Sequence, residues 1–320
     1  MYRALYAPGT GYYTSGKTRI GRTGDYTTAS EIPAFGECIA RWIWRRKKEM
    51  GKSEDFTIVE LGAGDGSLAR TILEYFGKEY EWSPRYIAVD VRPHSKEPGI
   101  RWMTSQEFKK EFGADKQLTG VVISNEFFDA LPVHRIIQKD RELQEIYVQS
   151  GQEYAENISD ECIASHWDSY GADLLEGQQA EVSLEALVWM EKIAQMLRRG
   201  FVLSIDYGDT AERLYAPYRS GGTVMGYHNH MTTDSVYDRV GEQDITAHVN
   251  FTALINYGEK FGLEKLSFTT QAEFLLENGI MNTASKEDSL EALNSRQAMK
   301  RLLLPGGFGE EFKVLVQKKI

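Results

Sequence analysis

The stretch from Val59 to Leu73, "VELGAGDGSLARTIL", decides how this chain folds. With the residues before it, it completes "FTIVEL" (Phe56 to Leu61), a short β-branched run that reads as a buried parallel strand. "SLARTILEYF" then reads as a helix. Between the two lie Gly62, Gly64 and Gly66 on alternate positions. Glycine lets main chain approach a ligand closely, because no Cβ intervenes. The helix that follows offers its first NH groups, from Ser67 and Leu68, and its partial positive charge. A purely structural strand-to-helix turn is the plainer reading.

The surroundings of the turn favour a ligand. A dinucleotide-binding turn reads G-x-G-x-x-G, whereas this one reads G-x-G-x-G, with Glu60 two residues ahead of it. A second acid, Asp90, ends the next strand, "RYIAVDV". An acid there can accept both hydroxyls of a ribose. An acid ahead of the turn disfavours pyrophosphate and suits an ammonium or sulfonium. The ligand implied is a nucleoside with a positively charged tail. S-adenosylmethionine fits that description, and NAD fits it less well.

Working outward, "GIRWM" and "GVVIS" read as further strands, with a helix from "SQEFKKEF" between them. Ile32 to Met50 carries apolar residues at helical spacing and ends in "RRKKEM", which suits the helix dipole. "VHRIIQKDRELQEIYVQ" reads as an antiparallel hairpin about Lys139-Asp140-Arg141 and a candidate dimer face. "SLEALVWMEKIAQMLRRG" reads as a helix stopped by Gly200. "FVLSIDYGD" reads as a buried strand, and "EFKVLVQKK" as an alternating edge strand. Alternating strands and helices imply an α/β fold, a doubly wound and mostly parallel sheet with helices on both faces. We expect residues 1–50 to be an N-terminal loop and helix packed on the core. Residues 51–320 would form the main domain, with an inserted cap or platform at about 133–179.

The 320 residues are 42% hydrophobic and 12% aromatic, enough for a sizeable core. No apolar run approaches the roughly 18 residues of a membrane span. "MYRALYAPGT" has no signal-peptide pattern. The expectation is a soluble cytoplasmic protein that does not engage membranes. A net charge of −10 disfavours nucleic acid as a partner. Cys38 and Cys162 form no metal-ligand pattern and read as buried, reduced thiols.

Further acids stand at the other strand ends. "SNEFFDALP" puts Asn125, Glu126 and Asp129 just past a strand; if the segment turns helical, Glu126 and Asp129 share a face. "SIDYGD" does the same for Asp206. Converging carboxylates beside a methyl donor suit a cationic nucleophile such as a guanidinium. Of the histidines, His248 is the candidate for the acceptor site, as a hydrogen-bonding group; no metal site is expected. Capping and solvated loop acids are the bland alternative.

Several motifs together resemble one family, the MidA-like class I S-adenosylmethionine-dependent methyltransferases. They are "GDYTTASEI" with "FGE", "VELGAGDGSL", "SNEFFDALPVHR", "IDYG", "GGTVMGYHNH" and "DITAHVNFTAL". The family includes a mitochondrial arginine methyltransferase that assists assembly of respiratory complex I. "NEFFDALP" is the most specific of these motifs. The chain departs from the pattern at Ala63, Asp65, Met225 and Asn250, around Thr28 to Glu31, and by one residue between Glu31 and Phe35. The resemblance implies S-adenosylmethionine bound by Glu60, Gly62, Gly64, Gly66 and Asp90, with Asn125 beside them. It also implies that Gly24, Asp25 and Thr28 close over the site. Glu126, Asp129, Asp206 and His248 are then the catalytic candidates, and a protein arginine the acceptor. A small-molecule methyltransferase and a non-catalytic assembly factor are the competing readings.

Overall fold

The computed structural model describes residues 1–16, 28–51, 55–92, 97–283 and 289–320. The chain divides into two compact units, each assembled from separate segments. The first comprises Thr27–Phe127, Lys192–Asp206 and Phe261–Ile320, and the second Met1–Tyr26, Phe128–Glu191 and Tyr207–Lys260.

The first unit holds the main sheet. Its strands are β1 (Phe56–Leu61), β2 (Arg85–Asp90), β3 (Ile100–Thr104), β4 (Leu118–Asn125), β5 (Leu197–Asp209), β6 (Glu264–Thr270) and β7 (Phe312–Lys319). Their order is β6-β7-β5-β4-β1-β2-β3. The pairs β1–β2, β1–β4, β2–β3 and β4–β5 are parallel, and β6–β7 is antiparallel. Every residue of β1 and β4 is buried, as continuous apolar runs in a parallel sheet require. The core continues into α1 (Pro33–Met50) through Phe35, Ile39 and Ile43, and into α2 (Ser67–Tyr80) through Ile72 and Phe76. Strand order reverses between β1 and β4, and such sheets bind ligands outside the carboxyl ends at that reversal.

Two expectations are corrected in this sheet. The helix that begins at Leu184 ends at Met196, and Leu197-Arg198-Arg199-Gly200 is already strand, so Gly200 stops nothing. Gly120 and Gly200 face each other across β4 and β5 at φ 150°. A Cβ on Gly120 would stand 1.9 Å from Thr57 O, and one on Gly200 1.9 Å from Gly120 O. These positions demand glycine for sheet packing. The second correction concerns β7, which lies inside the sheet between β6 and β5; the edge is β6.

The second unit is built on antiparallel sheets. Gln152–Glu156, Glu142–Gln149, His134–Lys139 and Gln179–Val182 pair in that order. The expected hairpin forms on Asp140 and Arg141, at φ 54° and 65°, the backbone that a two-residue turn requires. Ile136, Ala180 and Val182 pack with Ile163, Leu214 and Tyr215. Met231–Thr233, Met225–His228 and Asp244–Thr246 form a smaller sheet. Tyr12 packs with Leu5, Val236 and Ile245, so part of the N-terminal aromatic run is core. Cys38 is buried, and burial pushes its thiol up to about 11, but Cys162 is exposed, contrary to expectation. No helix among the described residues is long and apolar enough to cross a membrane.

Candidate active site

The glycine turn leaves β1 in a conformation that side chains resist. Gly62, Gly64 and Gly66 have φ 70°, 54° and 81°. A Cβ on Gly62 would stand 3.0 Å from Phe127 Cδ2, and one on Gly66 2.9 Å from Trp102 Cζ2. The turn is tied to β2 by its own NH groups. Gly62 N and Ala63 N donate to Val89 O at 2.9 and 3.1 Å, and Gly64 N donates to Asp90 Oδ2 at 2.9 Å. Asp65 Oδ1 accepts from Ser67 N at 2.9 Å and from Ser67 Oγ at 2.7 Å, which opens α2. Leu68 is buried beneath it.

Asp90 is half-buried, and its Oδ1 accepts from Arg92 N at 3.3 Å. Each of its oxygens therefore carries one of these backbone NH bonds. Glu60, the acid ahead of the turn, is enclosed. It is 3% exposed, and its Oε2 accepts from Tyr86 OH at 2.7 Å. Burial, with Asp90 and Asp65 adding repulsion, pushes its carboxyl up to about 8. At neutral pH it is mostly protonated.

The segment after β4 is a series of bends, not the helix that would have put Glu126 and Asp129 on one face. Glu126 has φ 53°, a left-handed backbone that non-glycine residues adopt at a cost. Two hydrogen bonds hold it there: Glu126 N donates to Ile205 O at 3.0 Å, and Phe127 N to Asp206 Oδ2 at 3.1 Å. Asp206 is fully buried, so its carboxylate braces the turn. Asn125 Nδ2 donates to Glu126 Oε1 at 2.9 Å. Its Oδ1 is buried with no hydrogen-bond partner among the described residues. Thr28 is also in this unit; its Oγ1 accepts from Ser30 N at 2.9 Å and caps the turn Ala29–Glu31. Gly24 and Asp25 lie outside the described residues.

The first unit thus brings together Glu60, the three glycines, Ser67, Asp90, Asn125, Glu126 and Asp206. Asp129 and His248 belong to the second unit. There Ala247 N donates to Asp129 O at 3.0 Å, His248 N donates to Thr223 Oγ1 at 3.0 Å, and the His248 ring stacks on Tyr207. His248 also lines a cleft with His166, Glu181, Ser183 and Asn250. Sequence reasoning missed the first three of these. His166 looks like any polar residue of an acidic stretch, and Glu181 like a surface acid. No group of three or more potential metal ligands occurs among the described residues.

The residues at the glycine turn fit S-adenosylmethionine on this structure's own terms. The turn leaves no room for side chains, a half-buried carboxylate ends β2, and Asn125 Oδ1 is an unsatisfied acceptor beside them.

Comparison with known proteins agrees with that geometry. Residues 38–269 match the family described as "Putative S-adenosyl-L-methionine-dependent methyltransferase". A crystal structure of a Burkholderia thailandensis protein bound to S-adenosyl-homocysteine superposes with TM-score 0.87 at 29% identity, covering 99% of this chain and 86% of that one. The Drosophila melanogaster protein named protein arginine methyltransferase NDUFAF7 homolog, mitochondrial, is 28% identical over 82% of this chain. Its human counterpart is 25% identical over 79% of this chain. The chain spans 66% of the Drosophila protein's length and 63% of the human one's. With a matched region that holds the glycine turn, Asp90 and the "NEFFDALP" bend, the chain belongs to the family of S-adenosyl-L-methionine-dependent methyltransferases, whose cofactor is S-adenosylmethionine.

Proposed function

We propose that this protein methylates an arginine side chain of a protein substrate. The observation that carries the reading is the strained Glu126 turn. It sets Glu126 just past the end of β4, the strand that pairs with β1, on a bend held by buried Asp206. The names of the Drosophila and human relatives support arginine as the acceptor.

When bound, S-adenosylmethionine supplies an electrophilic methyl group on a sulfonium. Asp90 would hold the ribose hydroxyls, and Gly62, Gly64 and Gly66 would let main chain approach the cofactor closely. Glu60 becomes an anion when a positive charge arrives, since a nearby cation favours its ionised form. Asn125 Oδ1 would accept an NH from the cofactor. Glu126 grips the acceptor guanidinium and takes up its proton, and orientation supplies most of the rate enhancement. Asp206 acts as a positioning residue.

The test is transfer of tritium from labelled S-adenosylmethionine to arginine-containing proteins, with methylarginine identified after hydrolysis. Asp90→Ala should abolish labelling by loss of cofactor. Glu126→Gln should retain cofactor binding and lose transfer. Label appearing only on small molecules, or on another residue type, overturns the arginine reading.

A further inference from the structure

The larger antiparallel sheet of the second unit treats its two edges differently. The strand Gln179–Val182 is covered on its outer side, where Gln179 N donates to Ser220 O at 2.9 Å and Gln179 bridges to Gly221. At the other end stands Gln152–Glu156, and no strand pairs with its outer side among the described residues. Gln152, Glu153, Tyr154 and Glu156 are exposed, and Ala155 is half-buried.

The turn decides which backbone groups face outward. Ser150 and Gly151, at φ 51° and 76°, form a two-residue turn, so Gln149 and Gln152 make a hydrogen-bonded pair. Bonded and non-bonded pairs alternate along an antiparallel ladder. Gln152, Tyr154 and Glu156 therefore bond to the strand Glu142–Gln149, and Glu153 and Ala155 turn their N–H and C=O groups away from it. Such a row of backbone groups is a template for another strand.

Charge and side chains select the strand that fits. The segment Phe128–Glu191 carries 14 Asp and Glu against 3 Lys and Arg, a net charge of −11 in a chain that totals −10. Glu156 forms no ion pair among the described residues. It lies directly opposite Glu145, a like-charge pairing that costs stability in a sheet. Tyr154 stacks on Tyr147 with 5.7 Å between ring centroids, and is 40% exposed. An Arg or Lys side chain packs well on such a ring. Tyr154 and Glu156 share one face, so alternate residues of an added strand meet them both. A second copy of this edge would set acid against acid, which disfavours self-pairing.

We infer that the strand Gln152–Glu156 is a docking edge for an extended basic segment of a partner protein, with Lys or Arg at every second position. The segment adds a fifth strand to this sheet of four. The backbone of Glu153 and Ala155 holds it, and Glu156 and Tyr154 select its cations. The inference goes beyond arginine methylation and does not depend on which residue is methylated.

The test uses the full chain and a fluorescein-labelled peptide, Gly-Arg-Val-Arg-Val-Arg-Val-Gly, with a control in which Glu replaces each Arg. Anisotropy should show saturable binding of the basic peptide, and the acidic one should bind at least about tenfold more weakly. Ala155→Pro removes one outward N–H and no bond of the existing sheet, a place where an edge strand tolerates proline. It should keep its circular dichroism spectrum and weaken the basic peptide by about tenfold or more. Should that variant fail to fold, Glu156→Lys carries the test and should produce a loss of the same size. Equal affinity for the two peptides, or unchanged binding by folded Ala155→Pro, overturns the inference and leaves the acids as guards against aggregation. A dimer in sedimentation equilibrium that Ala155→Pro dissociates assigns the edge to a second copy and overturns it too.

Discussion

Replacing Glu60 by glutamine separates the charge of this residue from its shape. The carboxyl is raised from 4.5 to about 8, chiefly by burial, against the opposing hydrogen bond from Tyr86. An unfolded chain releases this proton near the ordinary value, while the native state keeps it until about pH 8. Between those limits the unfolded state binds fewer protons. The stabilisation is therefore complete below the unfolded pKa and is lost as pH rises through the folded one. From about pH 5.5 to about 7.5 the loss is about 2 kcal/mol. Glutamine does not titrate, yet its Oε1 can still accept from Tyr86 OH. Hydrogen exchange of the β1 amides reports stability locally, which suits a chain of two units whose unfolding need not be one transition. Over that pH range, β1 protection in the wild type should fall relative to Glu60→Gln by about 30-fold. Taking the difference cancels the titrating groups that do not interact with Glu60. Parallel pH dependence in the two proteins, or a relative gain by the wild type at higher pH, would refute the reasoning.

Asp90→Ala removes the acceptor of Gly64 N and, on the proposed binding mode, of the ribose hydroxyls, so calorimetry should show S-adenosylhomocysteine affinity falling by about 10- to 100-fold. Gly62→Ala meets both φ 70° and Phe127 Cδ2 at 3.0 Å. It should cost about 1–3 kcal/mol, seen as a lower melting temperature. His166 should stay neutral in an NMR titration until the pH falls to about 4. Its depressed pKa contributes stability above the unfolded value that disappears as pH falls through the folded one.

Much of the sheet was legible because its signals are local. The β-branched runs of β1 and β4, the glycine turn and Asp90 each announce themselves within a few residues. The misreadings came where pairing overrides local preference. Leu197-Arg198-Arg199 are good helix formers, yet they pair with β4 at a place where Gly200 must lie against Gly120. "KVLVQKK" alternates like an edge strand, but Gln317 is fully buried and Lys313 nearly so, because β6 covers β7. In the site, residue types were legible and their electrostatics were not. Glu60 is an acid in the sequence, and only its enclosure makes it largely neutral. His166 could not be singled out, because its isolation depends on residues far along the chain.

Glu126 holds a backbone shape that glycine would adopt without strain. Exchanging it for glycine should make the molecule more heat-resistant by about 1 kcal/mol while it loses the power to handle its acceptor. Opposite signs for those two outcomes would mark a residue retained for chemistry instead of architecture. Breeding this protein in the laboratory for durability alone should discard position 126 early, and whatever survives would be a sturdy shell with no trade.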